Sequence, residues 1–563
     1  MPALTWTGKN EVRHHHETVP IRTLELDEPN SHAKGIDGWK PSLDDNLIIT
    51  GDNLDAMKAL LPKYAGKVDV IYIDPPYNTG NEGWVYNDNV NSPMIKDWLG
   101  KAVGNDDLQR HDKWLCMMYP RLQLMKQLLK MGGVILCSIG SDETEHLKCL
   151  FNELFSESEM MVWRKSGVGR DGKMKNTTTF RSDHEYIIVG YNDDKKLNKS
   201  LEKPNWTVPK KNTDNDTRGA WESGSLSRSE EASIFGHKNY YSVNSPSGRV
   251  YTRQFDFSQE EFLELDKDNR IYWGASGSSV PRLKIFENEL RKVNTSSLLL
   301  HDGTTTEGYK LLNDLMETVE DFGKSILPKP IPLMQHLIQI ATTPNALILD
   351  AFAGSGTTGH AVLKLNAEDG GHRKFILLQQ PEALTEGSPA YEAGFKTVDD
   401  ITRKRIRRVI DGVPTAKDAQ LKEGLGGSFT AVTLGQAIDP LKILKGEDLP
   451  SREALARYLY YTLELTSLPQ VEAYHPTGFF AESESRCYYL HYEASKEWFL
   501  TQGANLTASQ LEAISKHANK KGKEAFVLAP AYYISKEDLP KNVIAHHIPY
   551  DIQRLVFNSS EED

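Results

Sequence analysis

Residues 68–79, VDVIYIDPPYNT, place the strongest constraint on the fold of this chain. Their apolar, β-branched run stops abruptly at Asp74, Pro75, Pro76 and Tyr77. Such a run, closed by turn-forming residues, predicts a fully buried strand of a parallel sheet. Asp74 would then lie at the carboxyl end of that strand, where open α/β sheets bind their ligands.

The four residues that end this run suit one kind of chemistry. Consecutive prolines restrict φ and lack N–H donors, so they present rigid carbonyls and hold Asp74 and Tyr77 at a set separation. Asp74 and the Pro75 carbonyl can accept the two hydrogens of an exocyclic amine, while Tyr77 stacks on the ring that bears it. The alternative is a strand that simply ends in a proline turn, with Asp74 capping a helix.

A second buried strand is predicted in residues 346–359, ALILDAFAGSGTTG, where it ends in Asp350. The glycine turn Gly354-Ser355-Gly356 follows and leads into a helix. Glycines allow close approach of the backbone to a ligand, and a helix N-terminus offers free N–H groups to an anion such as a carboxylate.

The same segment satisfies the GxGxxG pattern of dinucleotide-binding proteins, which is a weak signal alone. A dinucleotide site requires an acidic residue about 20 residues further on, at the end of the next strand. Here the strand at residues 375–378 is followed by Gln379, Gln380, Pro381 and Glu382. Glu382 lies further along the chain than a dinucleotide site requires, but it could hold a ribose diol whether or not the cofactor is a dinucleotide.

Both motifs resemble those of a known family. DAFAGSG is similar to the S-adenosylmethionine-binding motif, and DPPY to the catalytic motif, of amino-methyltransferases that act on DNA. DPPY is more typical of the adenine enzymes, because the cytosine enzymes usually carry Ser in place of Asp. The catalytic motif comes first and a long insert follows, an order that resembles the β class. Over residues 1–412 the chain is similar to the modification subunit of type III restriction–modification systems.

The resemblance implies a doubly wound, Rossmann-like α/β methyltransferase sheet with permuted motif order and an inserted target-recognition region. Beyond the resemblance, the mixture of helices and aromatic strands in residues 429–557 predicts a C-terminal α+β domain. It implies methyl transfer from S-adenosylmethionine to the N6 amine of adenine, after the base is flipped out of duplex DNA. The catalytic residues would be Asp74, Pro75, Pro76 and Tyr77. The predicted cofactor-binding residues are Asp52, Lys329, Asp350, Phe352, Ala353, Gly354, Ser355, Gly356, Thr357 and Glu382. An RNA or protein amino-methyltransferase and a non-catalytic DNA-binding subunit remain as alternatives.

Changes in pattern along the chain predict its domains. We expect an N-terminal arm (1–44), a catalytic half (45–191), a target-recognition region (192–322), a cofactor-binding half (323–422), a glycine-containing linker (424–428), a C-terminal docking or dimerisation domain (429–557) and a disordered tail (558–563).

Basic residues supply the candidate DNA contacts. Residues 163–181 carry six basic residues against one acidic residue among glycines, which is typical of a loop that grips phosphates. The predicted DNA-binding residues are Arg164, Lys165, Arg170, Lys173, Arg218, Arg282 and Lys284.

Charge and composition limit the partners. The net charge is −12, so affinity for double-stranded DNA must come from local basic patches rather than from the whole chain. Four widely spaced cysteines and the run His14-His15-His16 lack metal-ligand spacing, and we expect no metal. No apolar run reaches the length of a membrane span, so a bacterial cytoplasmic, nucleoid-associated location is expected. A homodimer and a separate restriction subunit are the predicted protein partners.

Overall fold

A computed structural model describes residues 4–79, 109–166, 182–193, 197–202, 216–287, 291–318, 320–439, 448–468 and 475–548, with residues 180, 214, 289, 443, 470 and 471. The chain divides into two compact units. One unit combines residues 1–197 with residues 296–563, and the other is residues 198–295.

A ten-stranded mixed sheet forms the centre of the first unit. In chain order its strands are β1 (Leu24–Lys34), β2 (Leu47–Thr50), β3 (Val68–Ile73), β4 (Leu129–Ile139), β5 (Glu157–Arg164), β6 (His184–Tyr191), β7 (Leu298–Leu299), β8 (Leu347–Asp350), β9 (Lys374–Gln379) and β10 (Gly427–Leu434). Their spatial order is β1-β10-β2-β9-β8-β3-β4-β6-β5-β7.

The five central strands, β2, β9, β8, β3 and β4, run parallel. Alternate side chains of β3 therefore enter opposite faces, so that Ile71 packs in one hydrophobic core and Val70 in the other. Parallel direction also brings the carboxyl ends of β3, β8, β9 and β2 to one edge of the sheet. The predicted doubly wound α/β fold is confirmed, with antiparallel strands added at both sides.

Helices cover both faces of the sheet. The helices of this part are α1 (Lys9–Val12), α2 (His15–Thr18), α3 (Asn53–Tyr64), α4 (Arg110–Leu128), α5 (Thr144–Leu154), α6 (Thr305–Met316), α7 (Glu320–Ile326), α8 (Ile331–Ala341), α9 (Thr357–Asp369), α10 (Pro389–Glu392), α11 (Val398–Asp411) and α12 (Ala419–Glu423). Buried side chains of α3, α4 and α5 pack on one face, and those of α8, α9 and α11 pack on the other.

Two predicted boundaries are corrected by the sheet. The predicted linker at residues 424–428 and the C-terminal domain from residue 429 overlap β10, which pairs in parallel with β2. Strand β1, from the predicted N-terminal arm, pairs antiparallel with β10. Both segments are therefore part of the central sheet, because hydrophobic β10 residues such as Phe429 and Val432 are buried in its two cores.

The second unit lies within the predicted target-recognition region and is rich in short strands. A hairpin joins Tyr240–Asn244 to Val250–Gln254, a three-stranded sheet has the order Ile271–Tyr272, Arg282–Phe286, Trp221–Gly224, and Ser200–Glu202 pairs with Arg291–Val293. One helix, Gln259–Lys267, begins with a capping box at Ser258. Aromatic residues including Tyr251, Phe255 and Phe262 form a hydrophobic core of this second unit.

The C-terminal region has a sheet of its own. Its strands lie in the order Phe479–Glu482, Arg486–Leu490, Glu524–Ala529, Val543–His547, and Asn505–Leu506 pairs with Ala531–Tyr532. The helices are Arg452–Glu464, Lys496–Phe499 and Ala508–Lys520, with short 3₁₀ turns at Gln502–Ala504 and Lys536–Asp538. Tyr461 reaches the core of the central sheet, where its hydroxyl donates to the Ala59 carbonyl at 2.7 Å.

In the part of the chain that the structure describes, no helix combines the length and the apolar character that a membrane crossing requires.

We predict that Leu349→Ala, in the buried centre of β8, lowers the free energy of unfolding by about 2–5 kcal/mol, because the truncation leaves a cavity between strands and helices. Urea unfolding of the whole chain measures the change. Leu298→Ala is the matched control, since Leu298 is 54% exposed on edge strand β7 and its truncation should change stability by about 0.5 kcal/mol or less. Equal losses in both variants would contradict the assignment of β8 to the core.

Candidate active site

Asp74, Tyr77 and Lys329 meet at the carboxyl edge of the central sheet. Asp74 directly follows β3, and Lys329 lies in the proline turn just before α8. The Tyr77 hydroxyl is 2.9 Å from Asp74 Oδ1, and Lys329 Nζ is 2.9 Å from Asp74 Oδ2. Lys329 Nζ also donates to the Tyr77 hydroxyl at 2.8 Å. The predicted catalytic turn and the predicted cofactor-binding residue Lys329 therefore share one polar cluster.

Glu185 is a fourth member that the sequence analysis missed. Its Oε2 lies 2.9 Å from the Tyr77 hydroxyl and 3.2 Å from Lys329 Nζ, and its Oε1 lies 3.4 Å from Lys165 Nζ. The Tyr77 hydroxyl has one proton, so it donates to either Asp74 or Glu185 at a time. The signal for Glu185 is an acidic residue at the start of an otherwise buried strand, β6.

The charges of this cluster shift three pKa values. Burial raises the pKa of Asp74 above its usual range, and the Lys329 ammonium only partly opposes this effect. Burial also raises the pKa of Glu185, but the ammonium groups of Lys329 and Lys165 outweigh it, so the pKa lies below its usual value. Burial lowers the pKa of Lys329, but attraction to Asp74 and Glu185 outweighs this effect, so the pKa lies above its usual value. Glu185 is therefore the carboxyl that ionises more readily, and Asp74 is the stronger base.

Local packing holds the Asp-Pro-Pro-Tyr turn in place. The Trp114 indole donates to the Pro76 carbonyl at 2.7 Å. Gly140, just after β4, lies against the Tyr77 ring, and a Cβ at this position would approach Tyr77 Cδ2 to 3.0 Å. A larger residue at position 140 would therefore press on the ring.

An open cavity of about 920 Å³ contains both motif regions. Its walls include Asp74, Pro75, Pro76, Tyr77, Glu185 and Lys329 from the polar cluster, and Phe352, Gly354, Gln379, Gln380 and Glu382 from the ends of β8 and β9. The volume lies in the range of about 300–1,000 Å³ that is usual for ligand pockets.

The loop after β8 has the backbone form that its glycines predict. Gly354 and Gly356 have φ of +52° and +79°, a region that other residues rarely adopt. The Gly354 N–H donates to Gln379 Oε1 at 2.7 Å, and the Ala353 N–H donates to the Leu378 carbonyl at 3.1 Å. The loop is thus attached to the end of β9.

Asp350, Ser355 and Thr357 are buried beneath this loop. Asp350 accepts hydrogen bonds from the Thr358 hydroxyl and from the Phe352 N–H, and burial raises the pKa of Asp350 to about 7. Ser355 and Thr357 each bond to Arg405 Nη1, at 2.8 and 2.7 Å. These side chains hold the shape of the loop, while Phe352 and Gly354 face the cavity.

A smaller adjoining cavity of about 110 Å³ brings Asp52 into the site. Asp52 caps α3 and lies 3.5 Å from Arg121 Nη2, and Arg121 Nε donates to Asn53 Oδ1 at 2.6 Å. Arg121 also lines this cavity, and the sequence analysis missed it. Its signal is an arginine within the apolar stretch of α4, where the Arg121 side chain is only 5% exposed.

The predicted DNA-binding residues have different interaction partners in the structure. Arg164 Nη2 bonds to the Leu300 carbonyl, Lys165 pairs with Glu185, and Arg282 Nη2 donates to the Ser223 carbonyl at 3.0 Å. Arg218 pairs with Asp216 and Asp268 at 2.8 Å. Arg170 and Lys173 lie outside the described residues.

For Lys284 the structure corrects the prediction of a DNA contact. This residue is 2% exposed and forms an ion pair with Asp214 within the second unit. An ammonium group that is buried and already paired is not available to a phosphate in this conformation.

Residues 68–383, more than half of the chain, match a family model described as DNA methylase. This match includes both motifs and Glu185, Lys329 and Glu382. The chain belongs to the DNA methylase family. The resemblance predicted from DPPY and FAGSG is confirmed.

Relatives of this chain include Mod subunits of type III restriction-modification enzymes and a type II methyltransferase. The chain is 34% identical over 387 residues to the type III restriction-modification enzyme StyLTI Mod subunit of Salmonella typhimurium, a match covering 65% of this chain and 57% of the relative. It is 30% identical to the EcoPI Mod subunit of Escherichia phage P1, covering 75% and 70%. The type II methyltransferase M.KpnI of Klebsiella pneumoniae is 30% identical, covering 66% and 89%. The chain thus spans little more than half of the first of these relatives.

Among solved structures, the M1.HpyAVI–SAM complex aligns with 64% of this methylase and 99% of its own chain, at a TM-score of 0.29 and 14% identity. Because the identity and the TM-score are both this low, the alignment adds nothing to the family assignment.

We predict that Lys329→Met destabilises the methylase increasingly as pH rises. Without the ammonium, burial leaves the pKa values of Asp74 and Glu185 above their unfolded values, so stability is lost as the carboxyls ionise above about pH 4. The loss should reach about 3 kcal/mol near pH 8, at the low end for a buried pair because Asp74 is 27% exposed.

Urea unfolding near pH 5 and pH 8 measures this difference. Lys516→Met is the control, because Lys516 is 74% exposed and its pair with Glu512 should contribute about 0.5 kcal/mol or less at either pH. A Lys329→Met loss that does not depend on pH would contradict the charge assignment.

Proposed function

We propose that this protein transfers a methyl group from S-adenosylmethionine to the N6 amine of adenine in duplex DNA, at one recognition sequence. One observation carries the proposal. The Asp-Pro-Pro-Tyr turn and the glycine loop after β8 line a single cavity, so an amine held by the first lies beside a cofactor held by the second.

The turn is suited to an extrahelical adenine. Asp74 Oδ1 and the Pro75 carbonyl are acceptors for the two hydrogens of the amine, and both residues line the cavity. Hydrogen bonds to both hydrogens raise the electron density on N6. The Tyr77 ring offers a face for stacking, and flipped bases are held in this way at a cost of a few kcal/mol for unstacking.

The loop is suited to S-adenosylmethionine. Gly354 and Gly356 keep side chains away from a ligand, and the N-terminus of α9 favours a carboxylate. Glu382, at the cavity edge, is an acceptor for a ribose diol. When bound, the cofactor supplies an electrophilic methyl group on a sulfonium.

Residues of the chain position the two reactants and accept the proton that N6 releases. In this arrangement N6 would take the methyl group from the sulfonium, whose carbon–sulfur bond electrons would stay on sulfur, and N6 would release one proton. Asp74 is placed to accept this proton, since burial raises its pKa and makes it the better base of the two carboxyls. Positioning of the two reactants can lower the barrier by roughly 7–11 kcal/mol.

We predict that expression of the wild-type chain in a host produces N6-methyladenine in one recurrent motif, and that Asp74→Ala abolishes it, because the amine loses its carboxylate acceptor. Single-molecule sequencing of the host genome measures both results. Asp37→Ala is the matched control, since Asp37 is exposed in the segment before β2 and the modification should persist.

No modified adenine with the wild-type chain would overturn the assignment to DNA. Labelled S-adenosylmethionine would then separate the alternatives, because label in RNA or protein indicates another acceptor, and cofactor binding without transfer indicates a non-catalytic subunit.

The assembly is also part of the proposal. We further propose that the chain forms a homodimer and works with a separate restriction subunit in the bacterial cytoplasm, associated with the nucleoid. The restriction partner is supported by relatives that are named as Mod subunits of restriction-modification enzymes. The C-terminal region is the candidate contact, since Leu500 and Tyr533 are large apolar residues exposed there by 85% and 59%.

We predict that the purified chain has a solution mass twice its 63.4 kDa, because burying the exposed side chains of Leu500 and Tyr533 between two copies would remove apolar surface from water. Light scattering measures the mass. Leu500→Arg with Tyr533→Arg should yield the monomer if the C-terminal region forms the contact, whereas Leu263→Arg, 59% exposed in the second unit, should not. A wild-type monomer at all concentrations would contradict the homodimer.

A further inference from the structure

Two histidines and a buried glutamate converge near Tyr77, outside the cavity. His111 lies in the first turn of α4, and Glu143 and His146 lie at the start of α5. His111 Nδ1 is 2.7 Å from Glu143 Oε1, and His146 Nδ1 is 2.8 Å from Glu143 Oε2. One ligand atom from each residue lies within 4.8 Å of the others.

We propose that His111, Glu143 and His146 form a binding site for a divalent transition-metal ion of the zinc type. The inference goes beyond methyl transfer, and it depends on neither the acceptor nor the cofactor.

The donor set selects the class of ion. Two imidazoles and one carboxylate suit zinc, iron, nickel or copper, whereas magnesium and calcium prefer oxygen ligands. Zinc sites with two histidines and one glutamate keep a fourth position for water.

The geometry requires only a small adjustment. Zinc–ligand distances of about 2.0–2.2 Å place tetrahedral ligands roughly 3.3 Å apart. The two histidine–carboxylate distances, 2.7 and 2.8 Å, are about half an ångström shorter, and the three ligand atoms lie within 4.8 Å of one another. Rotation of the two imidazoles outward supplies this difference. Each imidazole is 33% exposed, so an ion can enter from solvent, while Glu143 is fully buried and its charge needs compensation.

Asn78 connects this site to the catalytic turn. It directly follows Tyr77, has φ of +58°, and its side-chain amide bonds to Glu143 Oε1 and, at 3.1 Å, to the Arg110 carbonyl. Partners of metal ligands orient those ligands and share their effect on affinity. A bound ion would therefore hold Asn78, and with it the end of the Asp-Pro-Pro-Tyr turn.

The test measures binding of Zn²⁺ to the full-length, untagged chain after chelator treatment, by competition with a chromophoric chelator. One equivalent should bind to the wild-type chain. Glu143→Gln and His146→Gln should each weaken binding by about 100-fold or more, and Asn78→Ala by about 10–100-fold, as expected for a ligand's partner. Circular dichroism of each metal-free variant checks that it folds.

His14→Gln is the matched control, because His14 is exposed in the His14-His15-His16 run and its loss should leave Zn²⁺ affinity unchanged. Co²⁺ added to the wild-type chain should give the intense visible absorption of four-coordinate nitrogen and oxygen ligation. If a variant fails to fold, the Co²⁺ spectrum of the wild-type chain tests the proposed site instead. Absence of stoichiometric Zn²⁺ binding, a six-coordinate Co²⁺ spectrum, or loss of binding in His14→Gln alone would overturn the proposal.

Discussion

Two carboxylates and one ammonium meet around the Tyr77 hydroxyl, and the proposed catalytic site depends on this cluster. Each charge is largely withdrawn from water, and such charges persist only when they are paired. Lys329 contacts Asp74, Glu185 and Tyr77 at once, so it sets the position of all three. Burial raises the pKa of Asp74, and the single ammonium of Lys329 offsets this only in part, so the carboxyl next to the proposed amine keeps a raised pKa.

The cluster exists because of strand direction. Asp74 comes at the carboxyl end of β3, as expected for a ligand site in an open sheet. Glu185 lies near the start of β6, and only the antiparallel pairing of β6 with β4 brings that start to the same edge. Lys329 arrives from the proline turn before α8, so segments from distant parts of the chain form one site.

Local patterns predicted much of this structure, and particular residues show where they stop. The strands before Asp74 and Asp350 and the glycine turn follow from short-range signals, since an apolar run, prolines and glycines constrain the backbone on their own. Lys284 shows the opposite case. A basic residue in a polar region suggests a phosphate contact, but this side chain is buried against Asp214, because burial depends on packing that the local pattern does not describe.

The sequence by itself determined the two motifs, their order and the class of chemistry, because these depend on residues that are adjacent in the chain. Only the tertiary structure decided which distant groups complete the site. Glu185 and Lys329 lie 108 and 252 residues from Tyr77, and His111 approaches Glu143 from another helix. Contacts of this kind depend on strand order, strand direction and helix packing, which arise from the free energy of the whole fold, so no short stretch of sequence specifies which of these residues meet.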